Sequence, residues 1–358
     1  MLKAVLRYDF IKKAPVFLLM LCIMLGAKIF AAGGFDTEAV QIENELVCGA
    51  AGLAPAEAEE YIKQATEEKL TEIMTGYSGI VREEKAQKLT EVSSVAQGKI
   101  TLCLTQAYDN IDCANGSETR STIPTDYYTA NIEAYKNLSY PNVVGARAWN
   151  NFFTLRGLDF VMYFAFICAA VVFVRPYEER ICDADRLTKY GVKYHGTRFN
   201  FFLILIISVC ILNFAADVII SDVLSSAADI FTASIRGLEQ FCDSFSGMTI
   251  FGYLVFSLII QLCGAVCVYC CFFLLARGIK DLYRFTVISV TTMLFLNIIR
   301  VTLPSLSCFI PLGAADMVSA VSDAATIFGV NSGVVVLAEN VAAAVAVSTV
   351  TWGKWVRR

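Results

Sequence analysis

Six long apolar stretches alternate with short charged ones along the chain, at about 15–33, 153–174, 199–221, 248–275, 283–303 and 330–352. About 20 apolar residues at ~1.5 Å each cross a ~30 Å hydrocarbon layer, so each stretch predicts a membrane-spanning helix. The region between the first two, 34–151, has a different pattern. Ile62, Ala65, Leu70, Ile73, Met74 and Tyr77 recur at helical spacing after Pro55, a residue suited to a first helical turn. The stretch "GYSG" at 76–79 interrupts this pattern, and Leu89, Val92 and Ala96 start a second amphipathic helix. The two predict a helical hairpin whose apolar stripes either pack on each other, the plainer reading, or meet a partner. Beyond it, "DCANGSE" and "STIPTDYY" read as loop, and a shorter helix is expected from Asp126 to Leu138.

The expected fold is an all-α integral membrane protein: six transmembrane helices and a mainly helical extracytoplasmic domain. Its divisions are an N-terminal cytoplasmic or interfacial segment (1–14), the first span (15–33), the domain (34–151), and a five-helix bundle (152–358) containing a charged cytoplasmic connector at 175–198. The first span follows Lys3, Arg7, Lys12 and Lys13 and is read as retained rather than as a cleaved signal. The segment before it interleaves Leu2, Val5, Leu6, Phe10 and Ile11 with those cations, a pattern for either an interfacial helix or a plain basic flank.

Composition supports the membrane reading: 56% of the residues are hydrophobic, and the mean hydropathy is +0.58. Cations in short connectors set orientation. With the N-terminus in the cytoplasm, four basic residues precede span one, six lie between spans two and three, three lie at 277–284 and three follow span six. All of them then lie inside. The short outer connectors hold Asp222, Asp229, Glu239 and Asp243 against Arg236, then Asp316 and Asp323. Region 34–151 is acidic, with eighteen Asp or Glu against nine Lys or Arg. The expected location is the plasma membrane, with both termini cytoplasmic.

Several chemistries lack their residues. No phosphate-binding G-x-x-x-x-G-K-[ST] run occurs, since "AQGKI" at 96–100 has no upstream glycine. His195 is the single histidine and is expected to be a solvated connector residue, which removes His-based triads and zinc sites. Cys263, Cys267, Cys270 and Cys271 resemble a metal motif but are expected to be apolar filler within a span. Cys103 and Cys113 leave a bridge open, which spacing alone does not decide. With pI near 5.3 and its cations at membrane flanks, the chain has no nucleic-acid signature. No cofactor is expected.

Ionisable groups inside spans are costly and point to function. Arg300 and Glu339 fall at similar depth in spans five and six and are expected to pair or to line a polar cavity. Lys28, the Arg156/Asp159 pair and Asp217, one turn beyond Asn213, lie near outer ends and read as interfacial. The segment 301–329, with Pro304 and Pro311, is expected to form a broken or re-entrant hairpin.

This layout resembles the permease subunit of ABC type-2 exporters, in the branch with a large extracytoplasmic domain between its first two spans. The resemblance spans the whole chain and is architectural. "FVRPYEERICDADRLTKYG" is similar only loosely to the family's stretch after span two and lacks its usual Gly-Thr. The resemblance implies a coupling helix at 176–191 docking on a separate cytoplasmic ABC ATPase. Tyr177, Ile181 and Leu187 would be its apolar anchors, with Tyr190. Glu178, Glu179, Arg180, Asp183 and Arg186, with Asp185, would form its charged rim. It further implies a non-enzymatic transport subunit in a lipid bilayer, working as a homodimer or with a sister permease. Its cargo would be an amphipathic peptide, lipid-linked molecule or drug moved outward. The alternative is a membrane sensor or accessory protein whose extracytoplasmic domain binds a ligand.

Overall fold

The structure, a computed structural model, describes residues 5–50, 53, 55–114, 146–157, 161–174, 191–225, 231, 235, 248–279, 281–302, 326–327 and 330–356. The described residues are almost entirely helical. A short π-helical turn, Val5–Phe10, and a 3-10 turn, Ile11–Lys13, lead into α1 (Ala14–Ala32), which has a proline in its first turn where no N–H is required. Then come α2 (Thr37–Ala50), α3 (Pro55–Gly76), α4 (Gly79–Ala114), α5 (Ala146–Gly157) and α6 (Val161–Cys168), which widens into a π-helical turn at Ala169–Val174. The C-terminal half holds α7 (Gly191–Ser225), α8 (Ile250–Gly278), α9 (Leu282–Thr302) and α10 (Ser332–Val356). A two-residue ladder, Thr326–Ile327 antiparallel to Val330–Asn331, precedes α10.

Four helices are long and apolar enough to cross a membrane: Ile11–Ala32, Lys193–Leu224, Ile250–Gly278 and Val334–Gly353. Two further apolar helices, Val161–Val174 and Leu282–Phe295, are shorter. All six coincide with the apolar stretches of the sequence. The helix of span two, Val161–Val174, includes the π turn at Ala169–Val174.

The packing places a core between α6, α7, α8 and α10, with α1 laid against α7. Phe17, Phe164, Phe173, Phe199, Phe202 and Phe273 fill it. Phe273 sits 4.5 Å from Phe173 and 4.7 Å from Phe199, ring centre to ring centre, in the edge-on and tilted arrangements aromatic quadrupoles prefer. On α1, Leu18, Leu19, Ile23, Leu25, Ile29 and Phe30 point outward and exposed. In water that apolar face is a liability; in a bilayer it is the lipid contact.

Polar side chains cap the helices. Asp36 Oδ1 accepts from the Ala39 N–H at 3.1 Å, Thr249 Oγ1 from Gly252 at 3.1 Å, and Asp281 Oδ1 from Tyr283 at 2.8 Å. The expected hairpin is present as α3 and α4, and its second helix runs much longer than the Leu89–Ala96 stripe. Helix α2 packs on both. Ala58 and Ile62 bury against Val47 and Ala50 of α2, while Leu89, Val92 and Ala96 are also buried. The proposed helix at 126–138 and the bulk of the 301–329 segment lie outside the described residues.

Candidate functional site

Two polar clusters are built into the ends of the helix bundle. The first lies toward the Ala32 end of α1. Lys28 and Asp217 are both fully buried, and the Lys28 ammonium pairs with the Asp217 carboxylate across 189 residues of chain. Lys28 Nζ also lies 3.4 Å from the carbonyl oxygen of Asn213, one turn earlier on α7. Asn213, Asp217 and Ser221 recur at four-residue spacing and are all buried, giving the C-terminal part of α7 a polar stripe among apolar residues. The Asn213 side-chain amide and the Ser221 hydroxyl make no hydrogen bond to protein.

Helix α5 covers this stripe. Phe152 meets Phe214 of α7 edge-on at 6.4 Å. Trp149, one turn outward, is buried against Phe152, and its indole N–H also has no protein partner. Outer helix α2 fixes the start of α5: the buried Glu43 carboxylate accepts the Arg147 N–H at 3.1 Å, and Arg147 Nε lies 3.6 Å away. A carboxylate at a helix N-terminus is favoured by the unpaired N–H groups and the helix dipole.

The second cluster surrounds the π turn that follows α6. Widening the helix disturbs its i→i−4 bonding. Cations from both neighbouring spans bond to carbonyls of this turn. Lys13, at the start of α1, donates to the Val171 carbonyl at 2.8 Å. Arg198, near the start of α7, donates to the Val172 carbonyl, and its guanidinium carbon lies 4.9 Å from the Phe173 ring centre. Positive charge against a carbonyl oxygen and over an aromatic face is favourable on both counts. Arg198 is 2% exposed. Beneath it, the Tyr269 hydroxyl donates to the Phe199 carbonyl at 3.0 Å.

His195 is a correction to the sequence reading. It is 5% exposed on α7, one turn before Arg198, rather than a solvated connector residue. Residues 191–198, the last third of the charged connector, are helical and belong to α7.

The anticipated coupling residues Tyr177, Glu178, Glu179, Arg180, Ile181, Asp183, Arg186 and Leu187 lie outside the described residues. The backbone of Arg300 is on α9, but its side chain is likewise outside the description; Glu339 is exposed on α10. Their pairing is therefore not visible. The thiols of Cys263, Cys267, Cys270 and Cys271 are free. Among the described residues no three His, Cys, Asp or Glu side chains converge as a metal site would require.

Sequence reasoning left Lys28 and Asp217 as separate interfacial residues. The available signal was their opposite charge at matching depth in two spans that run in the same direction. The chain matches no protein-family model, no curated protein and no solved structure.

Proposed function

We propose that the chain is the membrane-spanning permease subunit of an ATP-driven exporter, with six spans, both termini in the cytoplasm and 34–151 outside. One observation carries the reading: the grip of Lys13 and Arg198 on the π turn at Ala169–Val174, immediately before the connector at 175–190. A pull on that connector loads the Val171 and Val172 carbonyls, and the two cations pass the load to α1 and α7 together. A cytoplasmic ABC ATPase docked through Tyr177, Ile181 and Leu187 would supply such a pull. ATP hydrolysis would occur in that partner. At the opposite end, parting Lys28 from Asp217 would expose the Asn213 and Ser221 side chains to the polar portion of an amphipathic cargo. A second copy or a sister permease would complete the pathway.

A second reading, a membrane sensor, draws on the Glu43–Arg147 tie, through which an outer ligand bound by α2 would be felt at α5.

Purification from native membranes in mild detergent separates the two. The exporter reading expects a P-loop ATPase to co-purify with the wild-type chain. It expects that partner to be lost from Tyr177→Ala/Leu187→Ala and Glu179→Lys variants at unchanged membrane abundance. A wild-type chain that brings down no ATPase ends that reading.

A further inference from the structure

The tip of the α3–α4 hairpin is built unlike the rest of the outer helical layer. Residues 73–81, "IMTGYSGIV", carry no charge, whereas the helices on either side are dense with Glu, Lys and Arg. Met74 is 52% exposed, Tyr77 45%, Ile80 74% and Val81 50%. Gly79 turns the chain with φ of +64°, a left-handed conformation that glycine adopts without strain. Four large apolar side chains thus stand exposed together at one turn, where a water-exposed hairpin ordinarily carries polar residues.

The register of the helices places this tip. Lys88 Nζ lies 2.7 Å from Asp36 and 2.9 Å from Glu38, and Lys85 Nζ lies 2.9 Å from Glu38. Asp36 and Glu38 follow closely on Ala32, the end of the α1 span. Lys85 and Lys88 are thereby held at the height where α1 leaves the membrane. At the other end of the layer, Gln97 reaches Glu59 at 3.0 Å, and Ala58 and Ile62 bury against Ala50 and Val47. Helix α3 therefore runs antiparallel to α2, and α4 runs parallel to it. Following α4 backwards from Lys88 to Gly79 covers nine residues, ~13 Å. That path leads past the start of α2, in the direction opposite to the one α2 takes. Helix α2 itself heads over α5 and α7, through Glu43–Arg147 and through Val40, which packs in the cluster around Trp149. The tip consequently overhangs the membrane on the side of α1 away from the bundle, at about the height of the headgroups.

We propose that this tip is a lipid-docking surface: Met74, Tyr77, Ile80 and Val81 insert into the interface of the leaflet at the Ala32 end of α1. The chemistry fits that occupant. Apolar elements settle ~5–10 Å into the headgroup–acyl boundary, and tyrosine favours that boundary because its ring is apolar and its hydroxyl stays wet. Lys85, whose ammonium stands 4.9 Å from the Tyr77 ring centre, is placed to meet phosphate groups above the inserted side chains. The inference requires only that α1 spans the membrane and stands apart from any ATPase partner.

Photocrosslinking in the full-length chain tests it. p-Benzoylphenylalanine is placed at position 80, and in a control at position 60, an exposed site on the other half of α3. Each protein is reconstituted in phosphatidylcholine vesicles, irradiated and analysed by intact mass. Docking predicts phospholipid adducts at position 80 in several-fold higher yield than at position 60, and repeats the excess at position 77. Equal lipid yields at the two positions overturn the proposal. A chain-to-chain adduct in place of the lipid adduct overturns it as well, and assigns the tip to a second copy.

Discussion

Lys28 of α1 and Asp217 of α7 form an ion pair with neither side chain exposed. Removing either partner leaves the other charge without compensation, which typically costs ~3–5 kcal/mol. Lys28→Met and Asp217→Leu are each expected to lower the thermal stability of the detergent-solubilised protein by that order. The double variant should recover most of the loss, because the apolar pair has no charge to desolvate. A double-mutant cycle read from unfolding midpoints checks this; simple additivity would mean the two groups act apart.

Arg198 is expected to resist replacement by lysine. Its planar guanidinium reaches the Val172 carbonyl while covering Phe173, and a lysine ammonium does not reproduce that combination. Arg198→Lys and Arg198→Leu should both accelerate amide hydrogen exchange across 169–174, with little change in α8. Wild-type exchange in both variants would show that the π turn does not depend on the clamp.

Phe273 is the aromatic centre of the bundle. Phe273→Ala opens a cavity between Phe173 and Phe199 and should cost ~3–5 kcal/mol. Tyr269→Phe, which removes only the hydroxyl bonded to the Phe199 carbonyl, should cost ~0.5–1.5 kcal/mol. Unfolding measured on both variants in the same detergent tests the ranking.

The tie between α2 and α4 is expected to depend on pH at both extremes. Hydrogen bonds from Lys85 and then Lys88 hold Glu38 below its ordinary carboxylate value, and Lys88 does the same for Asp36. Such carboxylates stabilise above their unfolded pKa, and the contribution is lost as pH falls through the lowered folded value. The same contacts raise Lys88, through Asp36 first, and Lys85, through Glu38 first. Their contribution is present below the unfolded lysine pKa and lost as pH rises through the raised value. Energy transfer between labels at positions 26 and 98 should therefore stay constant from about pH 5 to 9 and shift outside that window. Lys88→Met should flatten the acid arm. High salt should weaken the tie across the whole range, because the pairs are partly exposed.

The hydrophobic pattern located all six apolar helices and the α3–α4 hairpin, because both follow from local periodicity. The features it missed are tertiary. Nothing near Lys28 in sequence announces Asp217. His195 looked solvated because it stands among connector charges, yet α7 starts early enough to draw it inside. Helix α2 went unremarked because its buried Glu43 breaks the apolar stripe and is explained only by the N-terminus of α5. The apolar positions Met74 and Tyr77 continued the α3 stripe in sequence, but the hairpin ends before a partner can cover them.

Helix α1 is held by side-chain contacts near both ends. Lys13 grips α6 at one, Lys28 grips α7 at the other, and the face between them that carries Leu18, Leu19 and Ile23 is exposed. The two lysines are ~22 Å apart along the axis and, at ~100° per residue, only ~60° apart around it. The helix is thus pinned at two heights along one edge. It can neither spin about its own axis nor tilt away from α6 and α7 without breaking at least one of the two contacts. Force arriving through the Gly33–Gly34 turn would meet the Lys28 anchor first, so that α1 acts as a strut between α6 and α7.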